Sequence, residues 1–268
     1  CLGLKDYVEK CGFKKVVLGL SGGIDSAVVC CIAARTLGKE NVTGIMMPSK
    51  FSSDHSVKDA VELAENLSIA YEIINIQSIV DSFEKALKDL FANLPFGIAE
   101  ENIQSRVRGS LLMAISNKFG DILLNTSNKS EVAVGYGTLY GDMNGSLSVI
   151  GDVYKTDIFE LSRYINSKRE IIPINTINKA PSAELRPNQK DVDSLPEYDI
   201  LDKILFCYIE QKLVAEEIIA LGLDKETVQK VISMVNKNEY KRYQAPPILR
   251  ISSKSFGSGR RMPLVAEY

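Results

Sequence analysis

An α/β fold is the class this sequence predicts: a doubly wound parallel sheet with extra C-terminal helices. Three observations carry it. Short apolar, β-branched runs alternate with helical patterns from Val16 to Leu124, and that alternation implies parallel strands covered on both faces. The first run stops at Ser21-Gly22-Gly23, and a helical pattern opens at Asp25-Ser26. Beyond Gly151 the pattern becomes helical.

The elements follow in order. One helix precedes the first strand. Val16–Leu20 reads as a buried strand, and Ser26–Leu37 as a helix ended by Gly38. Val42–Met47 is the next strand, stopped by Pro48. Asp54–Leu67 places Val57, Val61, Leu63, Ala64 and Leu67 at helical spacing. Tyr71–Ile76 is a third strand, Ile79–Phe91 and Glu100–Phe119 are helices, and Asp121–Leu124 is a fourth strand. Helical patterns then cover Lys155–Ile165, Ile200–Gln211, Ala215–Ala220 and Lys225–Asn236. The polar stretch 180–198 is long for a plain loop, so a mobile lid or a disordered segment is expected there. The basic, glycine-containing stretch Ser252–Arg261 reads either as a flexible terminus or as a segment that orders over an anion. The whole of 1–268 reads as a single domain.

Composition excludes several classes. The 268 residues are 45% hydrophobic and 25% charged, with a formal net charge of −2. A general basic field for nucleic acid is therefore missing. No apolar run approaches the ~20 residues of a membrane span, and no secretory pattern opens the chain. Five cysteines, an odd number with no Cys-x-x-Cys, argue against a zinc site or a disulfide framework and fit a reducing cytoplasm. The single histidine, His55, sits in a polar helix start. Serine–histidine or cysteine–histidine catalysis has little support.

Strand, glycine turn and helix start at Val16–Ser26 form a place to hold a phosphate. Backbone N–H groups at a helix N-terminus are unpaired and carry roughly half an elementary positive charge. Two glycines let an anion approach the backbone, Ser21 and Ser26 add hydroxyls, and Asp25 can hold a hard metal ion. Walker A and dinucleotide-binding patterns are both absent. On a parallel sheet, ligands sit beyond the carboxyl ends of the strands. The segments from Ser21, Met47 and Asn125 should therefore converge on one crevice.

The Ser21–Ser26 segment resembles the Ser-Gly-Gly-x-Asp-Ser loop of the PP-loop ATP pyrophosphatases. Further segments narrow the likeness. Glu101-Asn102-Ile103-Gln104-Ser105-Arg106-Val107-Arg108 resembles the Glu-Asn-x-Gln-x-Arg-x-Arg helix of NAD synthetases. Asn125-Thr126-Ser127-Asn128-Lys129-Ser130-Glu131 is similar to their Thr-Gly-Asn-Lys-Ser-Glu loop, with Ser127 in place of glycine. Gly135–Asp142, Asp152–Lys155, Pro181–Pro187, Asp193–Pro196 and Tyr240–Pro247 follow in the expected order. Leu139 and Tyr240 point to the synthetase domain of the glutamine-dependent type. These 268 residues contain no room for a glutaminase, so either free ammonia is used or a partner domain lies outside them.

What the resemblance implies is an adenine nucleotide alpha-hydrolase-like fold and amidation of deamido-NAD using ATP, Mg²⁺ and ammonia, through an adenylate. By carry-over, Gly19, Leu20, Ser21, Gly22, Gly23, Ile24, Asp25, Ser26, Met47, Thr126, Lys155 and Ser182 would bind ATP. Asp25 and Glu131 would hold Mg²⁺. Asn102, Arg106, Glu131, Tyr136, Gly137, Thr138, Leu139 and Lys241 would contact deamido-NAD. Asp142, Lys155 and Asp25 would be catalytic, with Asp142 orienting or deprotonating ammonium. A homodimer is implied, with no membrane or nucleic-acid partner. Plainer readings stand beside these: Asp25 as a helix cap, Lys155 as a first-turn lysine, Asp142 as a turn residue, and either Arg106 or Arg108 as a surface residue. Another PP-loop amidotransferase, a tRNA-modifying ligase and a non-catalytic nucleotide-binding module are the competing functions.

Overall fold

Five short parallel strands share one sheet in the order β3-β2-β1-β4-β5. The computed structural model describes residues 1–257 and 259–265. In chain order the elements of the sheet half are α1 (Leu2–Lys10), β1 (Val16–Gly19), α2 (Ile24–Leu37), β2 (Val42–Met46), α3 (Asp54–Leu67), β3 (Ala70–Ile73), α4 (Gln77–Leu87), α5 (Ile98–Phe119), β4 (Ile122–Asn125), α6 (Lys129–Val134) and β5 (Leu147–Ser148). Then come α7 (Lys155–Ile165), α8 (Ile174–Asn178), α9 (Tyr198–Leu205), α10 (Ala215–Ala220), α11 (Lys225–Lys237) and α12 (Glu239–Arg242).

The alternation of side chains along β1 divides the core. Val16 and Leu18 pack with α2, α3 and α7 residues such as Val28, Leu63 and Ile158. Val17 points the other way, with Ile45 and Leu123, against Val80, Ile103 and Val107 of α4 and α5. Val16, Val17 and Leu18 are all fully buried, as strands covered on both faces must be. A third cluster joins α6 to α9, α10 and α11 through Val134, Leu201, Ile218 and Val231. The extra C-terminal helices thus have a core of their own, leaning on the β4 end of the sheet.

Strand order places the site. The chain leaves β1 for β2 and β3 on one side, then crosses to β4 and β5 on the other. Register pairs Val16 with both Val42 and Ile122. The loops after β1 and β4 therefore flank the point where the winding reverses, the position at which such sheets bind ligands.

Several boundaries differ from the sequence reading. The third strand spans Ala70–Ile73 rather than 71–76, and α4 ends at Leu87 rather than at 91. The expected helix over 200–211 begins at Tyr198 and passes at Phe206 into a π-helical turn, Phe206–Glu210. The two-residue β5, the five-residue α8 and the four-residue α12 were not read at all. Elements that short carry no readable period. β5 exists because Leu124 pairs with Leu147, and Ser148 bridges to Ile248. The 180–198 stretch has no helix or strand before a 3₁₀ turn at Asp191–Asp193, and it lies docked against the crevice. Of the basic stretch 252–261, Ser258 lies outside the described residues.

Candidate active site

A cavity of about 300 Å³ opens at the carboxyl ends of β1, β2 and β4. Gly19, Leu20, Ser21, Gly23, Ile24, Asp25 and Ser26 form one wall, Met47 and Pro48 a second, and Asn125, Thr126 and Ser127 a third. Ser182 and Glu184 close it from the polar stretch. The three chain-distant segments do converge.

Local chemistry shapes the loop after β1. Gly23 is the N-cap of α2 and supplies no side-chain cap, so the first-turn N–H groups keep their donor capacity. Gly22 turns the chain at φ +77, and a Cβ there would lie 2.2 Å from the Ser56 carbonyl oxygen. Both facts demand glycine. Gly22 itself faces α3 rather than the cavity. Ser26 Oγ donates to the Gly23 carbonyl at 3.0 Å and lies 3.2 Å from Ser21 Oγ, while Gly23 N–H donates to Ser21 Oγ at 3.1 Å. The hydroxyls hold the loop open around its backbone donors.

Below the loop, three charges from three segments meet. Lys155 Nζ lies 2.5 Å from Asp25 Oδ2 and 3.3 Å from Glu131 Oε1. Asn128 donates from Nδ2 to Asp25 Oδ1 at 2.9 Å, and its own Oδ1 caps α6 by accepting from Glu131 N–H. Asp25 is therefore not the cap of α2, and Lys155, almost fully buried, is not an ordinary first-turn lysine. Burial pulls the Lys155 ammonium down, but the Asp25 and Glu131 carboxylates outweigh it and hold its pKa above the usual lysine range. Glu131 moves the other way for a carboxyl. Burial and the neighbouring Asp25 charge raise its pKa, against the pull of Lys155. One ammonium serves two carboxyl groups, so Glu131 keeps its proton more readily than a free carboxyl does.

Asp142 also lines the cavity. Its Oδ1 accepts from Thr138 N–H at 2.6 Å and from Ser105 Oγ at 3.1 Å. Surrounding protein raises its pKa, opposed by those hydrogen bonds and by Lys241. Its turn role is thus visible, and it still faces the open crevice. Tyr136 lines the rim and donates from its hydroxyl to Asp191 at 3.1 Å.

The residues expected at deamido-NAD fall into two groups. Glu131 and Tyr136 line the cavity, whereas Asn102, Arg106, Gly137, Thr138, Leu139 and Lys241 do not. The latter form a neighbouring cluster where α5 meets the 135–142 turn. Thr138 Oγ1 donates to Asn102 Oδ1 at 2.7 Å, and Arg106 Nε to the Leu139 carbonyl at 3.3 Å. Lys241 Nζ donates to the Gly135 and Gly137 carbonyls at 2.8 and 2.9 Å. Burial lowers the Lys241 pKa.

Sequence reasoning left Arg108, Lys179 and Glu184 without a role. Arg108 lines the cavity and donates from Nε to the Met47 carbonyl at 3.0 Å. Burial lowers its pKa to about 10, opposed by Glu184 and Asp142. Two residues along a helix turn about 200°, so Arg106 and Arg108 face opposite ways. The resemblance named Arg106 as a ligand contact, and it is Arg108 that lines the cavity. His55 is exposed in the first turn of α3, as expected.

Among the described residues, no group of three or more His, Cys, Asp or Glu side chains forms a metal cage. Two carboxylates and no cage is the donor set of a hard cation that takes its remaining ligands from phosphate and water, as Mg²⁺ does. Asp25 and Glu131 fit it, because both line the cavity and their side chains keep some exposure there beside Lys155.

Residues 1–245 match the sequence profile of the NAD synthase family. The chain belongs to that family. The glutamine-dependent NAD(+) synthetase of Synechocystis sp. is 55% identical over 267 residues, which cover 100% of this chain and 48% of that protein. This NAD synthase chain thus spans about half the length of the curated relatives it matches. Among solved structures, glutamine-dependent NAD+ synthetase from Acinetobacter baumannii, in complex with ADP, superposes with a TM-score of 0.65 at 48% identity, covering 97% of this chain and 47% of that one. NH3-dependent NAD synthetase from Campylobacter jejuni, in complex with the nitrate ion, gives 0.74 at 33% identity over 93% of this chain and 95% of that one. The NAD synthase neighbours share the α/β architecture described above. No described helix is long and apolar enough to cross a membrane.

Proposed function

We propose that this chain carries out the ATP-dependent amidation of deamido-NAD to NAD. The observation that carries the reading is Lys155 held between Asp25 and Glu131 under the Ser21–Ser26 loop, at the point where the strand order reverses. The relatives' names support the reaction class, and the ADP complex of one relative supports a nucleotide in the crevice.

The chemistry has two steps. A carboxylate oxygen of the nicotinate group attacks the α-phosphorus of ATP, the bond to the β-phosphate oxygen breaks, and pyrophosphate leaves. Ammonia then attacks the acyl carbon, the acyl–oxygen bond breaks, AMP leaves with the electron pair, and one proton is released. The first step brings two anions together, so the site must neutralise charge. The N–H groups at the start of α2, with Ser21 and Ser26, would receive the leaving pyrophosphate. Thr126 and Ser182 would contact phosphate oxygens from opposite walls, and Lys155 would stabilise charge at the transferred group. Asp25 and Glu131 would hold Mg²⁺, which when bound supplies further positive charge at the phosphates. Met47 at the β2 end would lie along the adenine.

The second step needs ammonia favoured over water. Asp142, with its proton affinity raised by its surroundings, would hold or accept the ammonium proton. Asn102, Arg106, Tyr136, Gly137, Thr138, Leu139 and Lys241 would bind the rest of the dinucleotide beside the cavity. Exposed Leu90, Leu94, Phe96 and Ile98, between α4 and the first turn of α5, offer an apolar surface for a second copy of the chain. A homodimer would cover them and flank the dinucleotide group on α5. The ammonia would come free or from a glutaminase unit beyond these residues, in a cytoplasmic setting.

Product analysis tests the reading. AMP and pyrophosphate should appear in equal amounts, only with deamido-NAD present, and NAD should form with ammonium but not glutamine as donor to the isolated chain. ADP release, or nucleotide binding without turnover, would overturn it.

A further inference from the structure

Asn125 is the last residue of β4, at the strand end where the cavity opens, and it is buried. Both donors of its amide and both acceptor positions are taken. Nδ2 donates to the Asp142 carbonyl at 2.8 Å and to the Asn144 carbonyl at 2.9 Å. Oδ1 accepts from Ser127 N–H at 2.9 Å and from Ser148 Oγ at 3.1 Å. Two carbonyls on one side and two donors on the other fix which way the amide points. An aspartate would set a carboxylate oxygen against the two carbonyls, and a shorter side chain would reach neither. The turn that carries Asp142 is packed hard on this residue: a Cβ on Gly145 would stand 3.0 Å from Asn125 Cβ. Neither chemical step uses the side chain.

What these bonds join says what they are for. On the Oδ1 side stands the Thr126–Ser127 wall of the cavity. On the Nδ2 side stands the backbone of Asp142, the carboxylate assigned to ammonium. Asp142 is held at three further points. Its N–H donates to Ser105 Oγ at 3.1 Å, and its Oδ1 accepts from Ser105 Oγ at 3.1 Å and from Thr138 N–H at 2.6 Å. Among the described residues no donor meets Oδ2, which leaves one carboxylate oxygen for a ligand. Those three points belong to α5 or to the 138–142 turn itself. Asn125 is the side chain that sets Asp142 against the phosphate wall. In an acyl-adenylate the acyl carbon is bonded to an oxygen of the phosphate on that wall. An attacking nitrogen must be brought within about 3–3.5 Å of that carbon. A carboxylate that slips relative to the wall loses this aim while every phosphate contact stays in place.

We propose that Asn125 is a positioning residue for the second step: it holds Asp142 in register with the phosphate wall, so that ammonia rather than water meets the acyl carbon of the adenylate. The proposal rests on the reading of Asp142 given above. Loosening the tie favours the competing reaction. Water then attacks the same carbon, the same acyl–oxygen bond breaks, and AMP leaves with the electron pair. Deamido-NAD is regenerated and two protons are released, so ATP is consumed without NAD.

Separate measurements on the two steps test this. Exchange of labelled pyrophosphate into ATP reads the first step without ammonia, and in Asn125→Ala it should stay within about twofold of the parent. The ammonium KM should rise by roughly 10–10²-fold, the scale of a misplacement of about 1 Å, and AMP should form in excess of NAD. Ser148→Ala removes one of the bonds that fix the amide and should move the KM and the NAD:AMP ratio the same way, by less. Asp142→Asn should show the same split between the steps. Equal loss of exchange and of NAD formation in Asn125→Ala, with the ammonium KM and the NAD:AMP ratio at the parent's values, makes Asn125 a brace of the fold and overturns the proposal. Should Asn125→Ala not fold, Ser148→Ala decides on the same two readouts. If Asp142→Asn splits the steps and the Asn125 and Ser148 variants do not, the proposal fails alone. If Asp142→Asn leaves both readouts at the parent's values, the role of Asp142 fails and takes the proposal with it.

Discussion

Lys129 and Lys155 are each the first residue of a helix, α6 and α7, and each meets two carboxylates. A cation at that position opposes the helix dipole, so tertiary partners must hold it. Lys129 is sealed. Its Nζ lies 2.9 Å from Asp152 and 2.8 Å from both Ser252 Oγ and the Lys254 carbonyl, with Glu210 also bonded, and its side chain is 0% exposed. Lys155 is open, because Asp25 and Glu131 keep 18% and 17% of their surface toward the cavity. The same residue type at the same local position thus ties the C-terminal stretch to the sheet in one case. In the other it leaves carboxylate oxygens free to change partners. A closed ion cluster can only stabilise; an open one can do chemistry.

Substitutions at the two lysines should separate these roles. The largest effect is expected from Lys129→Met, which leaves Asp152 and Glu210 without their cation. Stranding buried charge costs about 3–5 kcal/mol, read as a lower urea midpoint, with turnover per folded molecule largely kept. Lys155→Met comes next. It should cut turnover by roughly 10²–10³-fold, as for loss of one group stabilising developing charge, with a much smaller change in midpoint. A Lys155 variant that unfolds as readily as the Lys129 variant, while turning over normally, would erase the distinction.

Acid sharpens the comparison further. Burial alone would raise the Asp152 pKa, but hydrogen bonds from the Ser252 and Ile251 N–H groups and from Lys129 reverse it and hold it below 3.8. Glu210 is likewise held below 4.5 by Lys129 and Ser253 despite partial burial. Groups with depressed pKa stabilise fully above their unfolded values, and that stability is lost as pH falls through the folded ones. Unfolding free energy should therefore drop as pH falls below about 4, and Asp152→Asn should flatten that limb. Glu131, raised to about 8, carries the opposite sign: its penalty is absent below 4.5 and grows as pH rises toward 8. Glu131→Gln should leave the acid limb alone and gain on the parent toward neutral pH.

The smallest effect is expected at Ser127, where the resembling loops carry glycine. Ser127 does not adopt the left-handed backbone, and its N–H donates to Asn125 Oδ1 at 2.9 Å. Nothing there requires glycine, so Ser127→Gly should shift the ATP KM by less than about twofold. It should lower stability by about 0.5–1 kcal/mol through the freer unfolded chain.

Much of the sheet half was legible because its signals are local. Helices at Asp54–Leu67 and Lys155–Ile165 matched to the residue, since their apolar periods run several turns between clear stops. The Ser21–Ser26 loop was legible because an apolar strand, two glycines and a helix start stand side by side. The π-helical turn at Phe206–Glu210 was not, because nothing in an apolar helical run marks one widened turn. Nor was the cavity-lining arginine of α5, since periodicity separates Arg106 from Arg108 without naming the face that meets Met47.

By itself, then, the sequence determined a parallel α/β sheet, a glycine turn between its first strand and the helix that follows, and a set of polar segments destined for one crevice. These rest on interactions between near neighbours, which composition and spacing record. Tertiary structure alone decided which charges meet. Asp25 finds Asn128 across 103 positions and Lys155 across 130, and Glu184 finds Ser53 across 131. Such pairings depend on how packed layers bring distant chain ends to the same point, and no local pattern encodes that distance.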